Sequence, residues 1–104
     1  MNKVSLSILA MACVMLAAGT AHAGGAADAG KTKSESCVDC HGDDGKGDDE
    51  NPKIAGMPVE KFTKAMGEYQ AGTRTKSAKM IKEAKKLSAA DIADLAAYYA
   101  TLKP

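Results

Sequence analysis

The chain has 104 residues with 14 basic and 13 acidic side chains, a formal net charge of +1, and an aromatic stock of one Phe, three Tyr and no Trp. So even a charge balance excludes the strongly basic character of a nucleic-acid-binding protein, and the length allows one small domain. A domain of this size buries only a modest share of its surface and commonly leans on a staple or cofactor.

Residues 1–23 read as an export signal. Lys3 supplies a positive start, Val4 to Ala18 is apolar apart from Ser5 and Ser7, and Ala21-His22-Ala23 is an A-x-A cleavage site. The apolar run is shorter than the roughly 20 residues a spanning helix needs. Cleavage is the expectation, an uncleaved amino-terminal anchor the alternative, and lipid modification of Cys13 is disfavoured because the apolar run continues past it. Taking 23 residues from 104 leaves 81, a mature domain spanning 24–104. Lys3 is the only charge removed, so 13 basic residues then balance 13 acidic ones. Cys13 and His22 leave with the signal, and the mature chain keeps Cys37, Cys40 and His41 as its complete set of cysteines and histidines. Once cleaved, it has no expected stable membrane insertion.

Ala26 to Ser36 holds Ala27, Ala29, Lys31, Lys33 and Glu35, a moderate helix-forming stretch interrupted by Gly30. The expectation is a short helix ending in Cys37-Val38-Asp39-Cys40-His41, with small residues that let another helix cross closely and Gly42 at the exit. C-x-x-C-H is the pattern of covalent c-type haem attachment. On a helical turn residues i and i+3 share a face, so Cys37 and Cys40 can bond one porphyrin while His41 turns a ring nitrogen to the iron. A structural zinc site would need further Cys or His ligands, and none remain. A thioredoxin-type pair would need a βαβ frame, and no β-branched run precedes Cys37. A plain disulfide would leave His41 without a role.

Gly42 to Gly56 carries three glycines and Pro52 before its final glycine, lacks helical periodicity, and is acidic through Asp43, Asp44, Asp48, Asp49 and Glu50. It reads as a solvated loop; the ligand spacing of a calcium-binding EF-hand is absent. A ligating histidine usually donates its second ring N–H to a carbonyl or carboxylate. The Pro52 carbonyl is a candidate acceptor for His41, with an ordinary turn proline as the alternative, and spacing leaves both open.

Pro58 suits the first turn of a helix. Val59, Phe62, Ala65, Met66 and Tyr69 then recur at three- and four-residue steps until Gly72, predicting a core-facing helix. Tyr69 is a candidate for packing on the haem or for filling the core. Thr73 to Leu87 is a basic connector, with Arg74, Lys76, Lys79, Lys82, Lys85 and Lys86 against Glu83, and Met80 lies in its middle. Ser88 and Asp91 form a variant capping box. Ile92, Leu95, Tyr99 and Leu102 predict a terminal amphipathic helix whose alanine face can pack against the first helix.

Together these pieces resemble the class I bacterial cytochromes c, most closely small cytochrome c4 or c553-like domains, over about Ser34 to Leu102. The matching stretches are Cys37 to Gly42, Pro52-Lys53-Ile54-Ala55-Gly56, Tyr69-Gln70-Ala71-Gly72-Thr73-Arg74, a methionine at 80, and Leu87 to Tyr99. The resemblance implies an all-α fold of about four helices around one covalently bound haem c. It further implies a proline carbonyl, here Pro52, behind the proximal histidine, and a distal methionine shortly before the terminal helix, here Met80. Met57 and Met66 are the rivals; Met66 falls on the apolar stripe, and Met80 is expected in an irregular segment able to cover the open haem face. Ile81 to Lys86, which looks helical, departs from the family's pattern around this methionine.

The function expected from this resemblance is single-electron shuttling in the bacterial periplasm, without catalysis. His/Met ligation raises the haem potential, and the soft thioether favours ferrous iron. The basic run is a candidate docking patch for acidic redox partners, and a solvated face is the alternative. Two further functional readings stay open: an electron-transfer subunit of a larger dehydrogenase complex, and an open-site, gas-binding or peroxidase-like haem. The second lacks a spare histidine for acid–base work.

Overall fold

The computed structural model describes residues 25–104, so the expected export signal, with Cys13 and His22, lies outside the described residues. Among these, five helices and no strands occur: α1 (Ala27–Lys33), α2 (Glu35–His41), α3 (Val59–Ala71), α4 (Ala78–Lys85) and α5 (Ala89–Thr101). None is long and apolar enough to cross a membrane.

The all-α expectation holds, with five helices in place of about four, because two stretches differ from the sequence reading. Gly30 does not interrupt the first helix; it lies inside α1 and is buried. The break comes at Ser34, where the buried side-chain hydroxyl donates to the Lys31 carbonyl at 2.7 Å. A serine hydroxyl that satisfies a carbonyl locally competes with continuation of the helix, and the chain restarts as α2 with the C-x-x-C-H motif inside it. The expected irregular connector also contains a helix. Ala78 to Lys85 has no Gly or Pro, and Ser77 caps it by accepting from the Met80 N–H at 3.1 Å. Met80 therefore sits in the first turn of α4. Pro58 is the residue just before α3, at the cap position, and Gly72 ends that helix in the left-handed region at φ +77.

The alanine face of α5 packs closely on α1, as its composition predicts. A Cβ at Gly30 would collide with the Asp94 carbonyl on α5 and lie 2.7 Å from the Tyr98 Cβ. Lys33 fastens the same crossing through Asp91 at 2.8 Å and Asp94 at 2.6 Å, and Asp94 also accepts from the Ala26 N–H at 2.8 Å. The capping box forms: Asp91 N–H donates to Ser88 Oγ at 3.0 Å and Ser88 N–H to Asp91 Oδ2 at 2.9 Å. Phe62 and Met66 of α3, Ala84 of α4, and Ile92, Leu95, Ala96 and Tyr99 of α5 make the buried core. Cys37, Ile54, Met57, Tyr69 and Met80 pack around it.

Candidate haem site

The site begins with α2. Cys37 and Cys40 are one turn apart, half-buried and without a disulfide, and Cys37 packs against the core. Burial pushes the Cys37 thiol above its ordinary pKa, so it is held as a protonated, apolar-facing group rather than as a free thiolate. His41 ends the helix and is 6% exposed. Its Nδ1 stands 2.8 Å from the Pro52 carbonyl oxygen. A carbonyl can only accept, so Nδ1 carries the hydrogen, and in the neutral ring Nε2 then keeps its lone pair.

The loop 42–58 is shaped to hold that carbonyl. Gly47 N–H donates to the His41 carbonyl at 2.8 Å, and both Ile54 and Ala55 donate to the Gly45 carbonyl. Asp48 closes the turn before Pro52: its carboxylate accepts from the Glu50 and Asn51 N–H groups, each at 2.8 Å, while its own N–H donates to the Asn51 carbonyl. These bonds hold the Asp48 carboxyl below the usual carboxylate range. Gly47 has φ +71, and a Cβ there would meet the Asn51 carbonyl and lie 2.7 Å from the Pro52 carbonyl group. The acidic loop is thus a tight backbone cradle as well as a solvated surface. Asp48 and Gly47 were missed as site residues, although the Asp48-to-Asn51 turn spacing and the glycines were readable.

The remaining candidates lie on α3 and α4. Met80 is half-buried and packs against the same core as Cys37. Met66 is 7% exposed within that core. Tyr69 packs on the core too, and the Arg74 guanidinium covers its ring at 5.5 Å while pairing with Glu68 at 2.8 Å. Of the basic run, Arg74 and Lys86 are paired with Glu68 and Glu83. Lys76, Lys79, Lys82 and Lys85 are exposed, with no carboxylate within 4.0 Å among the described residues. Gln70, read only as part of a family stretch, donates from Nε2 to the Ala84 and Leu87 carbonyls, both at 2.9 Å, and so caps the end of α4 from α3.

Two unbridged thiols one helical turn apart, an imidazole oriented by a hydrogen bond, and a half-buried methionine packed on the same core as Cys37 together fit a covalently held haem c. Among the described residues there is no cluster of three or more His, Cys, Asp or Glu side chains able to hold a metal ion.

Comparison with known proteins agrees. The cytochrome c family model matches residues 27–103. Cytochrome c4 of Pseudomonas aeruginosa is 39% identical over 104 residues, covering 99% of this chain and 50% of its own length. A thiosulfate dehydrogenase electron acceptor of Thiomonas intermedia is 38% identical over 74 residues, covering 69% of this chain and 34% of its own. The solved cytochrome c4 of Acidithiobacillus ferrooxidans superposes with a TM-score of 0.70 at 31% identity, over 81% of this chain and 52% of that one. The chain thus spans about half the length of the cytochrome c4 relatives it matches. With the family model covering all five described helices, the chain belongs to the cytochrome c family, whose cofactor is covalently bound haem c.

Proposed function

We propose that this chain is a monohaem c-type cytochrome that carries single electrons between redox partners in the bacterial periplasm. Its haem supplies a reversible ferric–ferrous couple when bound. Cys37 and Cys40 hold it as thioethers, a tether suited to an exported protein that cannot recover a lost cofactor. His41 gives Nε2 to the iron, and the hydrogen bond of Nδ1 to Pro52 keeps the ring in one tautomer and orientation and raises its basicity. The observation that carries this reading is that 2.8 Å bond, because it leaves Nε2 as a ligand beside two unbridged thiols.

Met80 is the residue proposed to hold the iron through its thioether sulfur, alongside His41. Its position in the capped first turn of α4, against the core that Cys37 also touches, supports this reading. A residue that fills that position and excludes water keeps ligand rearrangement small between oxidation states. Tyr69 then serves chiefly as core, wedged under Arg74. Lys76, Lys79, Lys82 and Lys85, which have no carboxylate partner among the described residues, are proposed to speed encounter with an acidic partner at low salt. With Lys82→Glu and Lys85→Glu together, the encounter rate should fall and lose its salt dependence.

The test is the ferric absorption spectrum of the holoprotein. A methionine-to-iron charge-transfer band, lost in Met80→Ala, supports the carrier reading; rapid carbon monoxide binding by the untouched reduced protein contradicts it. The likeness to a thiosulfate dehydrogenase electron acceptor favours a second reading, an acceptor subunit working with one dehydrogenase. Co-purification of a stoichiometric enzyme partner distinguishes it from a free carrier.

A further inference from the structure

Tyr99 is built deep into the core. It is 1% exposed, stacks on Phe62 at 5.8 Å between ring centroids, and meets Tyr98 edge-on at 5.1 Å. Gly45, at φ +72, leaves room for the ring edge; a Cβ there would lie 3.1 Å from Tyr99 Cε1. The Tyr99 hydroxyl is buried, and among the described residues it is the one buried side-chain nitrogen or oxygen without a hydrogen-bond partner. A buried hydroxyl without a partner is destabilising relative to a paired one, and phenylalanine would fill the same space without it. Cys37 packs against the buried cluster to which Tyr99 belongs, and its N–H donates at 2.7 Å to the carbonyl of Ser34, itself buried.

These neighbours differ in what they can accept. The Ser34 hydroxyl gives its hydrogen to the Lys31 carbonyl at 2.7 Å, so its oxygen already has lone pairs to offer. The phenol nevertheless makes no bond to it. The Cys37 sulfur is a thiol here and carries a hydrogen of its own. Thioether formation adds the S–H across the double bond of a porphyrin vinyl group, a sulfur–carbon bond forming while the hydrogen passes to the other vinyl carbon, and leaves a sulfur that can only accept.

We propose that Tyr99 donates its phenolic hydrogen to the Cys37 sulfur once that sulfur is a thioether, making Tyr99 a positioning residue for the first attachment bond. In so dry a setting the O–H dipole is poorly screened. Its positive end, turned toward the sulfur, favours the extra electron of the reduced state and so raises the reduction potential. The proposal rests on the reading of Cys37 as an attachment residue.

Resonance Raman spectra of the holoprotein in H2O and D2O, with a potentiometric titration, test it. The carbon–sulfur stretching band of the wild-type protein should shift on deuteration. Tyr99→Phe, which keeps the ring, should remove that sensitivity and lower the midpoint potential, while Ser34→Ala should leave both as in the wild type. A band indifferent to D2O, or one that Ser34→Ala moves as much as Tyr99→Phe does, overturns the proposal. The wild-type isotope measurement decides even if Tyr99→Phe fails to fold. Absence of any carbon–sulfur band would instead overturn the attachment reading itself.

Discussion

Gln70 offers a direct handle on α4, the helix that carries Met80. Its Nε2 donates two 2.9 Å hydrogen bonds, to the Ala84 and Leu87 carbonyls at the end of that helix. Gln70→Ala deletes both. Ala84 is fully buried and its carbonyl keeps the Leu87 N–H at 3.1 Å, so the heavier loss falls on the Leu87 carbonyl. Two net hydrogen bonds of about 0.5–1.5 kcal/mol each give a destabilisation of about 1–3 kcal/mol. In a domain of this size that lowers the unfolding midpoint by roughly 4–24 °C. The loss should appear locally first, because the end of α4 is freed while the crossing of α1 and α5 is untouched. Following the charge-transfer band that the proposed Met80 ligation would give and the far-ultraviolet circular dichroism together through a thermal ramp checks this. In Gln70→Ala the band should fade at a lower temperature than the helical signal; in the wild type the two should move together. An unchanged midpoint with coincident transitions would refute the assignment of Gln70 as the cap that holds α4.

Other consequences are equally open to test. Gly30→Ala drives a Cβ into the Asp94 carbonyl and should cost about 1–3 kcal/mol or more by overpacking the crossing of α1 and α5, read by chemical denaturation. Gly47→Ala combines a φ of +71 with a clash at the Asn51 and Pro52 carbonyls; it should lower stability by at least about 1 kcal/mol and shift the proton resonance of His41 Nδ1–H, whereas Gly67→Ala, at an open helical site, should do neither. Lys33 holds the Asp91 carboxyl down to a pKa of about 2 and lowers that of Asp94 as well. Both carboxyls are depressed in the folded state, so their contribution is present above the ordinary carboxylate pKa and is lost as pH falls through about 2 for Asp91. The acid side of the stability profile should therefore flatten in Lys33→Met, measured as unfolding midpoint against pH.

The parts of the molecule legible in the sequence were those in which one residue's chemistry dictates its local surroundings. Ser88 and Asp91 are marked by capping chemistry, Phe62, Met66, Ile92, Leu95 and Tyr99 by helical period, and the spacing of Cys37, Cys40 and His41 is what the proposed attachment site rests on. Pro52 was nameable as an acceptor because a ligating imidazole needs one, and its carbonyl stands at 2.8 Å. What stayed hidden depended on long-range contacts or on competition between neighbours. Gly30 looked like a helix breaker, yet it is kept inside α1 because the α5 backbone occupies the space of its side chain. The real break is made by a single Ser34 hydroxyl turning back to Lys31. The basic run looked irregular because its lysines dominate the pattern, while its helix is closed at one end by Ser77 and at the other by Gln70 from another element. Charge counting also overstated the patch, since Arg74 and Lys86 are already paired with nearby glutamates.

The mass of the exported protein after acid extraction and denaturation tests the central claim most directly. Covalent attachment through Cys37 and Cys40 predicts a polypeptide that keeps its colour and weighs one haem more than the bare chain, with the added mass on the peptide that contains residues 37–41. Free pigment in the extract and a mass equal to that of the polypeptide alone would contradict it.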